Sequence, residues 1–190
     1  MGYRFIEPVI RILRRGTKTE MLRNETQMAE AVARHMTNSA REVGVGGCIF
    51  DVVAYDKKLQ LFKLVECKLG SQATKIGHAF GQVAAYCAVL SMRGRDFVDA
   101  FSTKVPLPFG RLMEATENAK RIRVAFYVAL TDDACKRIEL IREVKALLPF
   151  VGIIRVKREG KCRNYLKDKG WKDKKLSEAR TRVIEILQKK

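Results

Sequence analysis

A chain of 190 residues, 47% of them hydrophobic, is long enough to bury a core without disulfide or metal staples and short enough for one domain, or one domain with an appendage. Its 38 Lys and Arg against 21 Asp and Glu leave a formal charge of +17, which points to a polyanion such as nucleic acid. A heat-adapted surface would bring glutamate up with lysine, an anionic membrane would call for a dominant basic amphipathic helix, and neither pattern is present.

Five cysteines, Cys48, Cys67, Cys87, Cys135 and Cys162, are odd in number and widely spread, and with two histidines they leave no material for a disulfide framework or a Cys/His metal site. They read as reduced thiols. The N-terminal segment "MGYRFIEPVIRILRRG" sets arginines among its apolar positions and has no signal-peptide cleavage pattern. No apolar run approaches the ~20 residues of a membrane span, so a soluble, cytoplasmic chain is expected.

Asn24 to Met36 reads as the first helix. Asn24 is placed to cap it, Gln27 stands in the capping-box position, and Met28, Ala29, Val32, Ala33 and Met36 form its apolar stripe. Gly44, Gly46 and Gly47 break the pattern, and Cys48 to Tyr55 and Leu59 to Leu69 follow as β-rich runs around a turn at "DKK". The next helix is "SQATKIGHAFGQVAAYCAVLSMRGRD", capped by Ser71. Gly77 and Gly81 each cost about 1 kcal/mol there relative to alanine, and their spacing of four predicts a closely packed neighbour on that face.

A loop around "STKVPLPFGRL" precedes the strand "RIRVAFYVALTDD", which runs into Asp132 or Asp133 as a helix cap. The amphipathic helix "ACKRIELIREVKALLPF" and the apolar strand "VGIIRVK" complete a βαβ unit, which predicts an α/β sheet. Beyond it the composition turns basic, with "KREGKCRNYLKDKGWKDKK" and a closing helix "LSEARTRVIEILQKK". The expected organisation is an α/β domain over 1–157 and a basic, helical C-terminal extension over 158–190.

The hairpin "FDVVAYDKKLQLFKLVECK" places Asp51, Glu66 and Lys68 among residues that should be buried. Residues two apart on a strand share a face, so Glu66 and Lys68 project together while Cys67 points away, and hairpin pairing can bring Asp51 near them. Two convergent carboxylates can hold a hard divalent cation such as Mg²⁺. An ammonium beside them can orient a water and neutralise charge growing on a phosphate. A solvated Glu/Lys pair is the plain reading of E-x-K alone, but a carboxylate in "CIFDVVAY" is expensive to bury without a partner.

With these residues the sequence resembles the PD-(D/E)XK nuclease superfamily, the restriction-endonuclease-like fold, and within it the archaeal Holliday-junction resolvases. Asp51 matches its strand aspartate and Glu66-Cys67-Lys68 its (D/E)-x-K, whereas Phe50 stands where the name has proline. The resemblance implies a mixed central β-sheet flanked by helices. It also implies a Mg²⁺- or Mn²⁺-dependent deoxyribonuclease, expected to act as an endonuclease in repair, recombination or mobile-element DNA processing. Asp51, Glu66 and the backbone carbonyl of Cys67 would ligand the metal, and Lys68 would position the attacking water.

Many members carry a further glutamate on the preceding helix, for which Glu20, Glu25 and Glu30 are candidates. Glu25 lies three, four and seven residues before Met28, Ala29 and Val32, on the buried stripe, and is selected. Gln82 and Tyr86 form the Q-x-x-x-Y pattern of one subgroup, which implies that Gln82 lines the site and that Tyr86 supports it or touches the DNA backbone. His78, one turn earlier, reads as structural. Arg14, Arg15 and Lys18, with Lys161 and Arg163 in the basic tail, are candidate phosphate contacts, and a homodimer would suit cutting two strands. Trp171 and Tyr165 are aromatics of that tail able to stack on unpaired bases or to pack. The rival from another class is a nucleic-acid-binding protein that keeps the fold without cleavage.

Overall fold

The computed structural model describes residues 22–105, 121–157, 162–164 and 179–185. Helix α1 (Glu25–Arg34) begins as its sequence dictates: Asn24 Oδ1 accepts from the Gln27 amide at 2.8 Å, and Gln27 Oε1 accepts in turn from the Arg23 amide at 2.7 Å. Its stripe of Met28, Ala29 and Val32 is buried.

Strand β1 (Ser39–Val45) then pairs antiparallel with β2 (Cys48–Asp56). The glycine cluster expected only to break the preceding helix makes this first hairpin. Gly46 and Gly47, at φ 58 and φ 83, are the two central residues of its turn, where positive φ at both positions matches the twist of the strands. Strand β2 turns into β3 (Leu61–Lys68) through Asp56, whose Oδ1 accepts from the amides of Lys58 and Leu59.

Helix α2 (Ala73–Lys104) starts after Gln72 rather than Ser71, and it runs past the expected end near Asp96 with one break at Arg93 (φ −136, ψ 35). Among the described residues no neighbour stands within 4 Å of a Cβ built at Gly77 or Gly81, so none of the described elements is the closely packed neighbour their spacing suggested. Strand β4 (Arg121–Thr131), the short helix α3 (Asp132–Cys135), helix α4 (Ile138–Leu147) and strand β5 (Gly152–Val156) form the expected βαβ unit, with β4 parallel to both β3 and β5.

Two further strands lie in the basic C-terminal region, and β7 falls within the segment expected to be the closing helix. Strand β6 (Cys162–Asn164) lies antiparallel to β5, and β7 (Arg182–Glu185) pairs antiparallel with the first four residues of β4. The β-branched run Thr181, Val183, Ile184 suits a strand, and Arg182 and Ile184, two apart, share a use. Ile184 is buried in the core and the Arg182 guanidinium lies 4.3 Å over the Phe150 ring. Residues 162–164 and 182–185 of the C-terminal region therefore contribute strands to the same sheet, the latter where a helix was expected.

The result is an α/β architecture, among the described residues a mixed seven-stranded sheet in the order β1-β2-β3-β4-β5-β6 with β7 against β4. Its larger core lies beneath α2 and α4, where Phe50, Phe62, Phe97 and Phe101 make a chain of ring contacts. The smaller core lies beneath α1 and joins Met28, Ala29 and Val32 to Val52, Val65, Cys67 and Ala129. None of Cys48, Cys67, Cys87 and Cys135 is in a disulfide, and no helix of the described residues is long and apolar enough to cross a membrane.

Candidate active site

The β2–β3 ladder is regular from Asp56↔Leu61 to Val52↔Val65 and ends there. Beyond it the backbone groups that would have paired are taken up by side chains. The Cys67 amide donates to Asp51 Oδ2 at 2.8 Å, and the Ile49 carbonyl accepts from the Tyr86 hydroxyl at 2.8 Å. Each of these bonds answers the requirement that a buried backbone polar group find a partner. The two strands thus part where the acidic residues of the hairpin lie.

Glu66 is 1% exposed, and the Tyr86 hydroxyl meets its Oε2 at 2.5 Å. Its Oε1 stands 3.6 Å from Lys68 Nζ. Burial and the neighbouring charge of Asp51 push the Glu66 carboxyl up to about 7, against the pull of Tyr86 and Lys68. Asp51 is raised as well, chiefly by burial, with the Cys67 amide and Lys68 opposing. A phenol has one proton and here two acceptors.

Glu25 enters from the first turn of α1. Its Oε2 lies 3.3 Å from Lys68 Nζ and its Oε1 accepts from the Leu69 amide at 3.3 Å, so one carboxylate fixes both the lysine and the end of β3. Glu30, by contrast, ion-pairs with Arg34 on the exposed side of the helix, and Glu20 lies outside the described residues. The choice of Glu25 among the three follows from its place one turn before Met28 and Ala29.

Gln82 is half-buried, and its Oε1 is a buried acceptor without a hydrogen bond among the described residues. Such an atom is costly unless something donates to it or a cation lies against it. Tyr86, one turn further along α2, is 2% exposed on the stripe of Ile76, Ala79, Phe80, Val83 and Leu90. Its ring packs 4.4 Å from that of Phe50. This placement makes Tyr86 a support for Glu66 and removes it from the surface where a DNA backbone could touch it. The stripe was legible in the sequence and was the signal for that burial. His78 is exposed.

Lys68, Leu130 and Arg155 stand in register across β3, β4 and β5, so a second basic side chain leaves the same sheet face. Arg155 Nε donates to Asp132 Oδ1 at 2.5 Å, at the start of α3. Arg163 on β6 pairs in register with Arg155. Arg14, Arg15, Lys18 and Lys161 lie outside the described residues, as do Tyr165 and Trp171.

No group of three or more His, Cys, Asp or Glu side chains is gathered as a ready metal cage among the described residues. What the hairpin offers is narrower: one buried and one half-buried carboxyl, both of raised pKa, and one lysine held between Glu25 and Glu66, while α2 adds the orphaned amide oxygen of Gln82 one turn before Tyr86. This electron-rich donor set fits a hard cation that keeps part of its water shell. No protein-family model, curated protein or solved structure matches the chain.

Proposed function

We propose that the protein is a divalent-metal-dependent nuclease that hydrolyses DNA phosphodiester bonds, with the parted ends of β2 and β3 as its catalytic centre. The single observation that carries this reading is the β2–β3 ladder opening at Asp51, Glu66 and Lys68, with Asp51 bonded to the Cys67 amide and Lys68 held by two carboxylates. The sequence resemblance to the PD-(D/E)XK superfamily supports the same reading. A hairpin built for stability alone would have closed this ladder with backbone bonds and apolar side chains.

Asp51, Glu66 and the Cys67 backbone carbonyl would hold Mg²⁺ or Mn²⁺. Bound there, the ion supplies positive charge against the phosphate and lowers the pKa of a water. Lys68 orients that water and offsets the negative charge that grows on the phosphate. Glu25 keeps the ammonium aimed by holding it from the α1 side. The Tyr86 hydroxyl fixes one oxygen of Glu66 and so limits the rotation of that carboxylate. Gln82 Oε1 is an acceptor for the attacking water, the use that would satisfy its buried oxygen. The charge of +17 gives sequence-independent attraction to phosphates, which salt weakens.

The second reading is a nucleic-acid-binding protein without cleavage. It is favoured by one observation, the absence of a three-ligand cage among the described residues. Labelled single-stranded, duplex, flap and four-way-junction DNA, incubated with Mg²⁺ or Mn²⁺, separates the two. The parent is expected to cut at least one substrate, while Asp51→Ala and Lys68→Ala bind it and cut on the order of a hundredfold more slowly or worse. Binding by all three proteins with no cutting by any would favour the binding module.

A further inference from the structure

Strand β1 contains one residue in the left-handed region, Glu42 at φ 53. The β1–β2 register pairs Arg41 with Val52 and Val43 with Phe50, so Glu42 faces Asp51 at the position the ladder skips. No residue is inserted, yet the alternation of both strands inverts there. Ala40 and Val43, three apart, both enter the core beneath α2, as do Phe50 and Val53. A regular strand would have put Phe50 on the face of Val52, beneath α1. The inversion turns Asp51 out of the alternation, and its carboxylate bonds the Cys67 amide where a ladder carbonyl would otherwise lie.

A left-handed conformation costs a residue with a Cβ roughly 1–2 kcal/mol, so something must hold Glu42 in it. Lys104, in the last turn of α2, donates to the carbonyls of Arg41 at 3.0 Å and Glu42 at 2.8 Å. Hydrogen bonds from an ammonium are stronger than neutral ones, and these two secure the carbonyl before Glu42 and its own. We propose that Lys104 is a positioning residue for Asp51, acting through the β1 backbone to maintain the inversion that delivers the Asp51 carboxylate to β3. Its hydrogen bonds go to these two carbonyls and not to Asp51. Its effect on cleavage rests on the nuclease reading above; its effect on Asp51 does not.

Amide hydrogen exchange at Cys67, followed by NMR, reports the placement of Asp51 directly, because Asp51 Oδ2 is what protects that amide. Four proteins suffice: the parent, Lys104→Met, Lys104→Arg, and Lys104→Met combined with Glu42→Gly, since glycine holds φ 53 without a clamp. Lys104→Met is expected to speed Cys67 exchange on the order of tenfold while the paired amides of β3 keep the parent's rates. Lys104→Arg and the double variant return Cys67 to the parent rate, and DNA cleavage follows the same order in kcat with KM unchanged. Parent-like Cys67 exchange in Lys104→Met, or exchange that rises equally along the whole of β3, overturns the proposal. A parent that cuts no DNA would sink the nuclease reading, and the Cys67 rates would still decide the role of Lys104.

Discussion

Glu66 concentrates the electrostatic tension of the molecule. Its carboxyl is lifted from the usual 4.5 to about 7 by burial and by Asp51. The folded chain therefore keeps that proton to higher pH than the unfolded chain does, and stability must fall as pH rises from about 4.5 to about 7. In urea titrations the metal-free parent is expected to lose on the order of 3 kcal/mol across that window relative to Glu66→Gln, which cannot ionise. A parent and variant with the same pH slope would refute the assignment. Asp51, Glu66 and Lys68 were legible because charges in an apolar run demand an explanation, and Glu25 because helical spacing separates it from Glu30. Glu42 and Lys104 were not legible: an exposed glutamate and a helix-terminal lysine carry no pattern, and their part depends on one backbone angle and on a contact 62 residues apart in the chain.

At the scale of elements, the periodic segments were read well and the punctuated ones poorly. Helix α1, the β2–β3 hairpin and the β4–β5 unit follow from capping residues, alternation and the strand–helix–strand order. Strand β1 was missed because Gly44, Gly46 and Gly47 mask its alternation, and because that alternation inverts at Glu42. Gly46 gives the measurable handle on this hairpin. It sits at φ 58 with the Arg93 side chain against it, so that a Cβ would lie 2.8 Å from Arg93 Cδ. Gly46→Ala is expected to lower stability by about 1 kcal/mol in chemical denaturation, most of it from the backbone angle, since the arginine can move aside. An unchanged midpoint would mean that the turn does not depend on that angle. The break of α2 at Arg93 also leaves no mark in composition, because the helix resumes at Gly94.

For the whole molecule, the lesson lies in the C-terminal region. The segment "LSEARTRVIEILQKK", within that basic composition, was expected to close the chain as a helix. The deciding factor was tertiary: β4 is longer than β5, and its first four residues had an open side that Arg182–Glu185 fills. Ile184, 7% exposed, is the anchor of that pairing. Ile184→Ala is expected to cost about 2 kcal/mol or more in urea unfolding, as for a core residue, whereas a residue of a loose appendage would cost almost nothing. This arrangement also sets an order of events. In this arrangement β3, β4 and β5 can pair before β7 does, and among the described residues it is β7 that pairs the first four residues of β4, beside buried Ile122 and Val124. A chain in which Arg182–Glu185 has not yet docked would thus be poised to recruit a foreign strand, and the pairing of β7 with β4 is the step that closes the sheet at that edge.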